Sequence, residues 1–281
     1  MILSSSRGAA VPLVLQRQLV GIGQIYFQAT PVFGAVLLFC LYLSGPILAA
    51  GAVLGVSVAS LVAWALEYAK ADRDKGLFSF NGALSGIGLC ACYEAGWPLC
   101  VAIVLAGALT AIFSRCAQLC KLPVLTSGFV LVMWLAIVMA PVPGLTPRSY
   151  AGCRLADETL LFCAWAQASF VPSAWLGCLL LASTAWLSRR ASLWVLGAGI
   201  AVWAVASTGI GIRGQVADIA MNCMLTALGL SVYRFPHGLR VAGIVLGGLL
   251  AWIMGQLGMP CLTLPFILAT WSVFMVRVTI R

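Results

Sequence analysis

Long apolar runs that carry almost no charged residue follow one another along most of the chain. Only short polar or Gly/Pro breaks separate these runs between residues 10 and 141, and the pattern resumes between residues 153 and 276. Hydrophobic residues make up 63% of the sequence and charged residues 8%. Soluble proteins carry about 25% charged residues, so this chain has too few to cover a soluble fold. The sequence therefore predicts an integral membrane protein.

The apolar runs favour membrane-spanning helices. A helix needs about 20 apolar residues to cross a bilayer, which leaves room for roughly ten to twelve crossings and little else. Strands of a membrane barrel alternate apolar and polar residues, and these runs do not. We therefore expect an all-α polytopic membrane protein without a soluble catalytic domain. Several runs are short enough to predict re-entrant or broken helices.

The excess of basic residues indicates contact with lipid. Sixteen Lys and Arg stand against seven Asp and Glu, giving a net charge of +9. Because they lie singly or in pairs between apolar runs, we expect them to set topology and meet lipid headgroups, and we expect no nucleic acid partner. The basic ends predict cytoplasmic termini (Arg7, Arg17, Arg277 and Arg281). The first twelve residues lack the pattern of a cleavable signal peptide, so none is expected.

The cysteines do not form a recognisable motif. The chain has eleven Cys and one His, and no Cys-x-x-Cys pair. Most of the cysteines lie inside apolar runs, where a free thiol behaves as a small hydrophobe. Since a metal site needs several convergent ligands, we expect structural thiols with no disulfide, no metal and no cofactor.

Three segments of the first half return in the second half in the same order. Pro123–Trp134 returns as Pro260–Trp271 with six of twelve positions identical, and the other two pairs keep Gln, Asn, Phe, Leu and Gly. These other pairs are Gly21–Gly34 with Ala164–Gly177 and Phe80–Leu89 with Met221–Leu230. The chain is therefore interpreted as an internal duplication with halves 1–145 and 146–281. If each half crosses the membrane an odd number of times, the halves are inverted and meet around a pore at the midplane.

The positions of the acidic residues argue against coupled transport and catalysis. Six are predicted in loops and one, Glu94, ends its apolar run (the six are Glu67, Asp72, Asp74, Asp157, Glu158 and Asp218). A proton- or sodium-coupled transporter usually needs a carboxylate at mid-membrane. A membrane hydrolase needs a nucleophile with a base or a metal. Passive conduction of an uncharged solute by a protein that is not an enzyme is the remaining prediction.

The repeated polar residues are candidates for contact with such a solute. They are Gln24 with Gln167, Asn81 with Asn222, and Thr126 with Thr263. Amide and hydroxyl oxygens accept hydrogen bonds without carrying charge. The alternative is that these side chains only join helices by hydrogen bonds, as they often do in membranes.

The repeated segments resemble those of the urea transporter family, which includes bacterial urea channels. That family carries, twice, a Gln-rich opening segment, an F-N-G-x-L segment and an L-P-V-L-T-x-P-F-x-x-x-x-W segment, and the likeness runs from about residue 17 to residue 276. The resemblance implies ten transmembrane helices plus two re-entrant half-helices. It also implies a pore for urea in each subunit, a homotrimer and a place in the bacterial inner membrane.

The resemblance assigns a flat slot to twelve positions. The plates of the slot are Phe27, Phe80 and Leu84 with Phe170, Met221 and Leu225. The oxygen acceptors are Gln24, Gln167, Thr126 and Thr263, together with backbone carbonyls near Ile25 and Ala168. The chain departs from the family pattern where Met221 replaces an aromatic ring, where Ala replaces the glycines before Gln167, and at Gly128, which stands where Pro265 stands in the second half.

Other small neutral solutes remain alternatives to urea. An aquaporin-like pore carries Asn-Pro-Ala, whereas this chain has Asn-Gly-Ala and Asn-Cys-Met. An ammonia channel typically presents paired histidines, and this chain has one His. A short amide such as acetamide fits the same slot. A membrane enzyme or a structural assembly factor is the remaining class.

Overall fold

The computed structural model describes residues 13–138, 144–150, 152–153, 159–208 and 215–279. Within these ranges the regular structure is helical, with an isolated antiparallel bridge between Tyr93 and Pro147. This confirms the prediction of an all-α protein. The linker is the polar segment 141–158 around the boundary of the two halves. The segment examined for a signal peptide, Arg7, Arg281 and parts of the linker lie outside the described residues.

The order of helices in the first half recurs in the second half. The first half contains α1 Leu13–Gly23, α2 Pro31–Ser44, α3 Pro46–Ala65, the short α4 Lys70–Asp74, α5 Phe80–Cys92, α6 Trp97–Leu119 and α7 Ser127–Val138. The second half contains α8 Leu160–Gln167, α9 Ala174–Leu187, α10 Arg189–Ser207, α11 Val216–Val232, α12 His237–Gln256 and α13 Leu264–Thr279. Apart from α4, each helix of one half has a counterpart at the same place in the other.

Prolines and a threonine fix where the first-half helices begin. Pro31 and Pro46 begin α2 and α3. A proline suits the first turn because the N–H that it lacks would have no helical partner at this position. The hydroxyl of Thr30 accepts a hydrogen bond from the backbone N–H of Phe33 at 3.3 Å, which caps α2. The chain bends by 76° between the segment Leu13–Tyr26 and α2.

Among the residues that the structure describes, four helices are long and apolar enough to cross a membrane, namely α3, α6, α10 and α12. The bent pair formed by α1 and α2 can provide a fifth span. These helices expose large apolar side chains on their outer faces, such as Leu105, Ile200 and Val245. Such faces suit lipid rather than water, which confirms the prediction of a helical membrane protein.

The helices α5 and α11 lie at the centre of the molecule. Every residue from Phe80 to Ala91 is buried, and so is every residue from Ile219 to Leu230. The crossing of α3 and α5 depends on glycines, because a Cβ atom on Gly82 or Gly86 would collide with the backbone of Gly55 or Gly51. Each helix thus carries two glycines four positions apart, a spacing that allows close approach of helices in a membrane protein.

The prediction that no cysteines are paired is wrong for one pair. Cys153 and Cys163 form a disulfide, with their Cα atoms 5.5 Å apart. Cys153 lies in the linker and Cys163 in the first turn of α8, so the bond fastens the end of the linker to the second half. The sequence does not reveal the pair, because two cysteines ten positions apart at the start of an apolar run are equally typical of free thiols. The other described cysteines are free.

Candidate functional site

Two threonines from opposite halves meet at the centre of the protein. Thr126 directly precedes α7 and Thr263 directly precedes α13. Their hydroxyl oxygens lie 2.7 Å apart and either can donate the hydrogen bond that joins them. Both residues are buried. A hydroxyl that donates one bond keeps lone pairs that can accept others, so the pair offers acceptors in an otherwise apolar region.

An asparagine holds each of the segments that carry these threonines. The side-chain amide of Asn81 donates to the carbonyl of Leu125 at 2.9 Å, and its oxygen accepts from the N–H of Phe129 at 3.1 Å. The second half repeats both bonds at 3.0 Å through Asn222, Leu262 and Phe266. The two amides therefore bind backbone groups at the start of α7 and α13, which corresponds to the structural alternative considered for them from the sequence.

Two tryptophans join the halves across the same region. The indole N–H of Trp134 donates to the carbonyl of Pro260 at 3.1 Å, and that of Trp271 donates to the carbonyl of Pro123 at 2.9 Å. Each tryptophan thus reaches the segment before the helix of the opposite half. This gives the repeated tryptophan the same structural role in both halves.

Aromatic pairs flank the threonines, and each pair also joins the halves. The rings of Phe27 and Phe266 have centroids 6.1 Å apart, and those of Phe170 and Phe129 are 6.0 Å apart. Both contacts are edge-to-face, a favoured geometry for aromatic rings. Phe27 and Phe170 have φ values of 57° and 58°. A positive φ is uncommon for a bulky residue and marks a backbone that its surroundings hold in place.

The segments that carry Phe27 and Phe170 are linked by a buried tyrosine. The hydroxyl of Tyr26 donates to the carbonyl of Trp165 at 2.7 Å and lies 2.9 Å from the hydroxyl of Ser169. Tyr26 and Ser169 each directly precede one of the two phenylalanines. Their side chains differ in type, so a search for identical repeated residues does not find them.

The two repeated glutamines have different surroundings. The side-chain oxygen of Gln24 is buried and, among the described residues, accepts no hydrogen bond. A buried oxygen of this kind is suited to an N–H donor from a solute. The side-chain amide of Gln167 instead donates to the carboxylate of Asp218 at 2.5 Å. Asp218 lies in the first turn of α11, so its predicted place in a loop is wrong. The same prediction is wrong for Asp72 and Asp74, which lie in the short α4, and Asp157 and Glu158 lie outside the described residues.

A cavity of about 230 Å³ lies on the second-half side of the threonine pair. Five of the residues predicted for the slot line it, namely Gln167, Ala168, Phe170, Met221 and Thr263. The wall also includes side chains that the sequence argument did not assign to the site, namely Phe129, Tyr150, Asp218, Pro260, Cys261 and Leu262. The structure therefore brings most of the second-half set together around one space.

The remaining predicted residues lie outside the wall of this cavity. Phe80 and Leu84 lie one turn apart on α5, and Met221 and Leu225 lie one turn apart on α11. All four side chains are buried. Gln24 and Ile25 form the 3₁₀ turn after α1, and Phe27 ends it. Thr126 reaches the cavity region through its bond to Thr263.

A family model described as urea transporter matches residues 15–278. The chain belongs to the urea transporter family. No curated protein sequence matches the chain. Membership of the urea transporter family confirms the resemblance seen in the repeated segments, and it identifies the protein as one that transports urea across a membrane. It also assigns the chain to a family of transporters rather than enzymes.

Proposed function

We propose that this urea transporter conducts urea passively through a slot between its two halves. The observation that carries the proposal is the Thr126–Thr263 hydroxyl pair, buried between the cross-half aromatic pairs. No described carboxylate other than Asp218 lines the 230 Å³ cavity next to it. Coupling to an ion would need ion-binding groups along the whole path, whereas the twelve residues assigned to the slot are uncharged and suit a neutral solute.

The chemistry of urea fits this arrangement. Urea is flat, uncharged and rich in N–H donors, and removing it from water without partners costs roughly 2–7 kcal/mol for each polar group. The side-chain oxygens of Gln24 and Gln167, the two threonine hydroxyls and the backbone carbonyls of Ile25 and Ala168 replace water as acceptors. Several similar acceptors in series keep each bond strong enough for entry and weak enough for exit.

The plates of the proposed slot exclude hydrated ions. Phe27, Phe80 and Leu84 form one set, and the second set is Phe170, Met221 and Leu225. Phe27 and Phe170 touch aromatic rings of the opposite half, which supports placing them at the interface where a solute passes. Away from Asp218, a hydrated cation would lose its water between such side chains without gaining a partner of opposite charge.

The proposed architecture is an inverted repeat with halves 1–145 and 146–281. We place ten transmembrane helices and two re-entrant half-helices in a subunit that assembles as a homotrimer in a bacterial inner membrane. The Cys153–Cys163 disulfide supports an orientation, because disulfides persist on the oxidising side of a membrane. That bond supports placing the linker on the outer face, and with an odd number of crossings in each half both termini would then lie in the cytoplasm.

Purified protein in liposomes tests the proposal. We expect urea influx that saturates with concentration and is the same with and without a proton or sodium gradient. Empty liposomes provide the background rate, and an ionophore that collapses each gradient provides the matched condition. Uptake that stops when the gradient collapses would contradict passive conduction. Glycerol, ammonia and water fluxes in the same liposomes determine whether urea is the preferred solute.

A further inference from the structure

One mouth of the proposed slot carries a carboxylate and the matching position of the other half does not. In the repeat that aligns Asn81 with Asn222, Asp218 occupies the place of Leu77. Asp218 lines the 230 Å³ cavity together with Gln167 and Met221. A neutral solute has no need of a full charge at one end of its path, so the carboxylate points to a second kind of ligand.

The charge of Asp218 has no basic partner in the described part of the chain. Among the described residues, the ion pair with a nitrogen–oxygen distance below 4 Å joins Arg17 to Asp74 and does not involve Asp218. The partner of its Oδ1 atom is the neutral amide of Gln167. A partly buried carboxylate held by a neutral donor retains its attraction for a cation, because the interaction is screened less than it is in water.

Aromatic rings form much of the remaining wall. Phe170 lies edge-to-face against Phe129 at 6.0 Å and against Tyr150 at 5.7 Å between ring centroids. All three line the cavity that contains Asp218. Aromatic faces attract cations within about 6 Å, most strongly when the cation has lost water. A carboxylate and several rings around one space therefore favour a flat cation over a compact hydrated one.

We propose that this cavity binds guanidinium, a planar monocation with the outline of urea. Guanidinium has only N–H donors, and its parallel N–H groups match a carboxylate in a fork-shaped pair of bonds. The side-chain oxygen of Gln167 and the lone pairs of Thr263 can accept further N–H groups. Sodium and potassium are compact and more strongly hydrated, and they cannot lie flat against aromatic rings as a planar cation does, so they compete poorly for the same space.

Bound guanidinium blocks the slot rather than passing through it. Beyond the cavity lie the threonine pair and the buried side chains of Leu84 and Leu225. These groups supply no negative charge, and an unpaired buried charge is strongly unfavourable. Tyr150 of the linker lines the cavity that contains Asp218, and Leu77 takes the place of Asp218 at the other mouth. Inhibition therefore comes from the linker side only. The block rests on the proposed urea conduction, whereas the binding site does not.

Calorimetry on the detergent-solubilised protein measures binding directly. Guanidinium chloride at low millimolar concentration is titrated against sodium chloride of the same ionic strength, and we expect saturable binding of guanidinium alone. Asp218→Asn keeps the shape of the side chain and should weaken binding at least tenfold. Asp218→Glu should restore binding to within a few fold of the original. Asp74→Asn is the matched control, because Asp74 is a carboxylate in α4, far along the chain from α11, and should leave binding unchanged.

The second measurement is urea flux into liposomes that contain protein in one orientation. Guanidinium added on the linker side should inhibit the flux in the original protein and in Asp74→Asn, and the fractional inhibition should disappear in Asp218→Asn. Equal binding by Asp218→Asn and the original protein would overturn the proposal, and so would equal inhibition from both sides. If guanidinium binds as expected but urea flux depends on an ion gradient, the cavity assignment stands and passive conduction fails.

Discussion

The two halves of the chain keep the same backbone supports but differ in the side chains around the proposed path. Asn81 and Asn222 make the same pair of bonds to the segments before α7 and α13. Within the four residues that precede these asparagines, however, Leu77 is matched by Asp218 and Phe80 by Met221. A side chain that fixes the backbone must keep the hydrogen bonds it makes. A side chain that faces a cavity can change without breaking a bond that the fold needs.

The largest expected effect concerns the contact between α3 and α5, where glycines of the two helices meet. Gly86→Ala should abolish folding, because the added Cβ meets the backbone of Gly51, which cannot move like a flexible side chain. Ala227 occupies the equivalent position of α11, so Ala227→Gly is the matched control and should cost about 1 kcal/mol. Monodisperse yield on size-exclusion chromatography reports the result. A Gly86→Ala protein with an unchanged yield and melting temperature would refute the close crossing.

The disulfide is the next difference, since the described cysteines of the first half are free. The bond closes a loop of ten residues, and chain entropy predicts that its loss destabilises the protein by about 2–3 kcal/mol. Replacing both Cys153 and Cys163 with Ser should lower the melting temperature by several degrees in detergent. Cys100→Ser, at an exposed free thiol, should not. A pair of identical melting curves would show that the bond adds nothing to stability.

The threonines should show similarity rather than difference between the halves. Thr→Val keeps the shape and removes a hydroxyl, which costs the permeant about 1–3 kcal/mol where a bond is left unmade. Thr126→Val and Thr263→Val should slow urea flux about equally, and the double variant should slow it further. Thr184→Val is a control, because that buried hydroxyl bonds to the carbonyl of Leu180 within α9. Normal flux from a folded double variant would move both threonines out of the path.

The smallest expected effect is on selectivity at Phe80 and Met221. A ring has fewer soft torsions than Met, so Met221→Phe should raise the ratio of urea to glycerol permeability by a few fold. Phe80→Met should lower it in return. Met224→Leu is the control because Met224 is buried beside Gly199, in α10. An unchanged ratio in Met221→Phe would remove the second F-N-G-like segment from the proposed slot.

The sequence predicts the class of fold and the family well, because apolar runs and repeated segments extend over the whole chain. It also places Thr126 and Thr263 at equivalent points of two repeats, and the structure brings them into contact. Asp218 could not be placed, since one charge next to the polar residues before α11 reads equally as a loop or a first helical turn. The Tyr26–Ser169 contact could not be predicted from the repeats, because equivalent positions need not keep the same residue. The slot itself stays a prediction.

The hydrogen bonds from Trp134 and Trp271 make the region around Thr126 and Thr263 depend on both halves of the chain. Each indole binds a proline carbonyl that belongs to the other copy, so the spacing at the threonines depends on two reciprocal contacts. A protein made of residues 1–145 alone would have a tryptophan without its carbonyl, a proline carbonyl without its tryptophan and one threonine facing no counterpart. A change in either half therefore acts on the spacing of the two threonines, which neither half sets by itself.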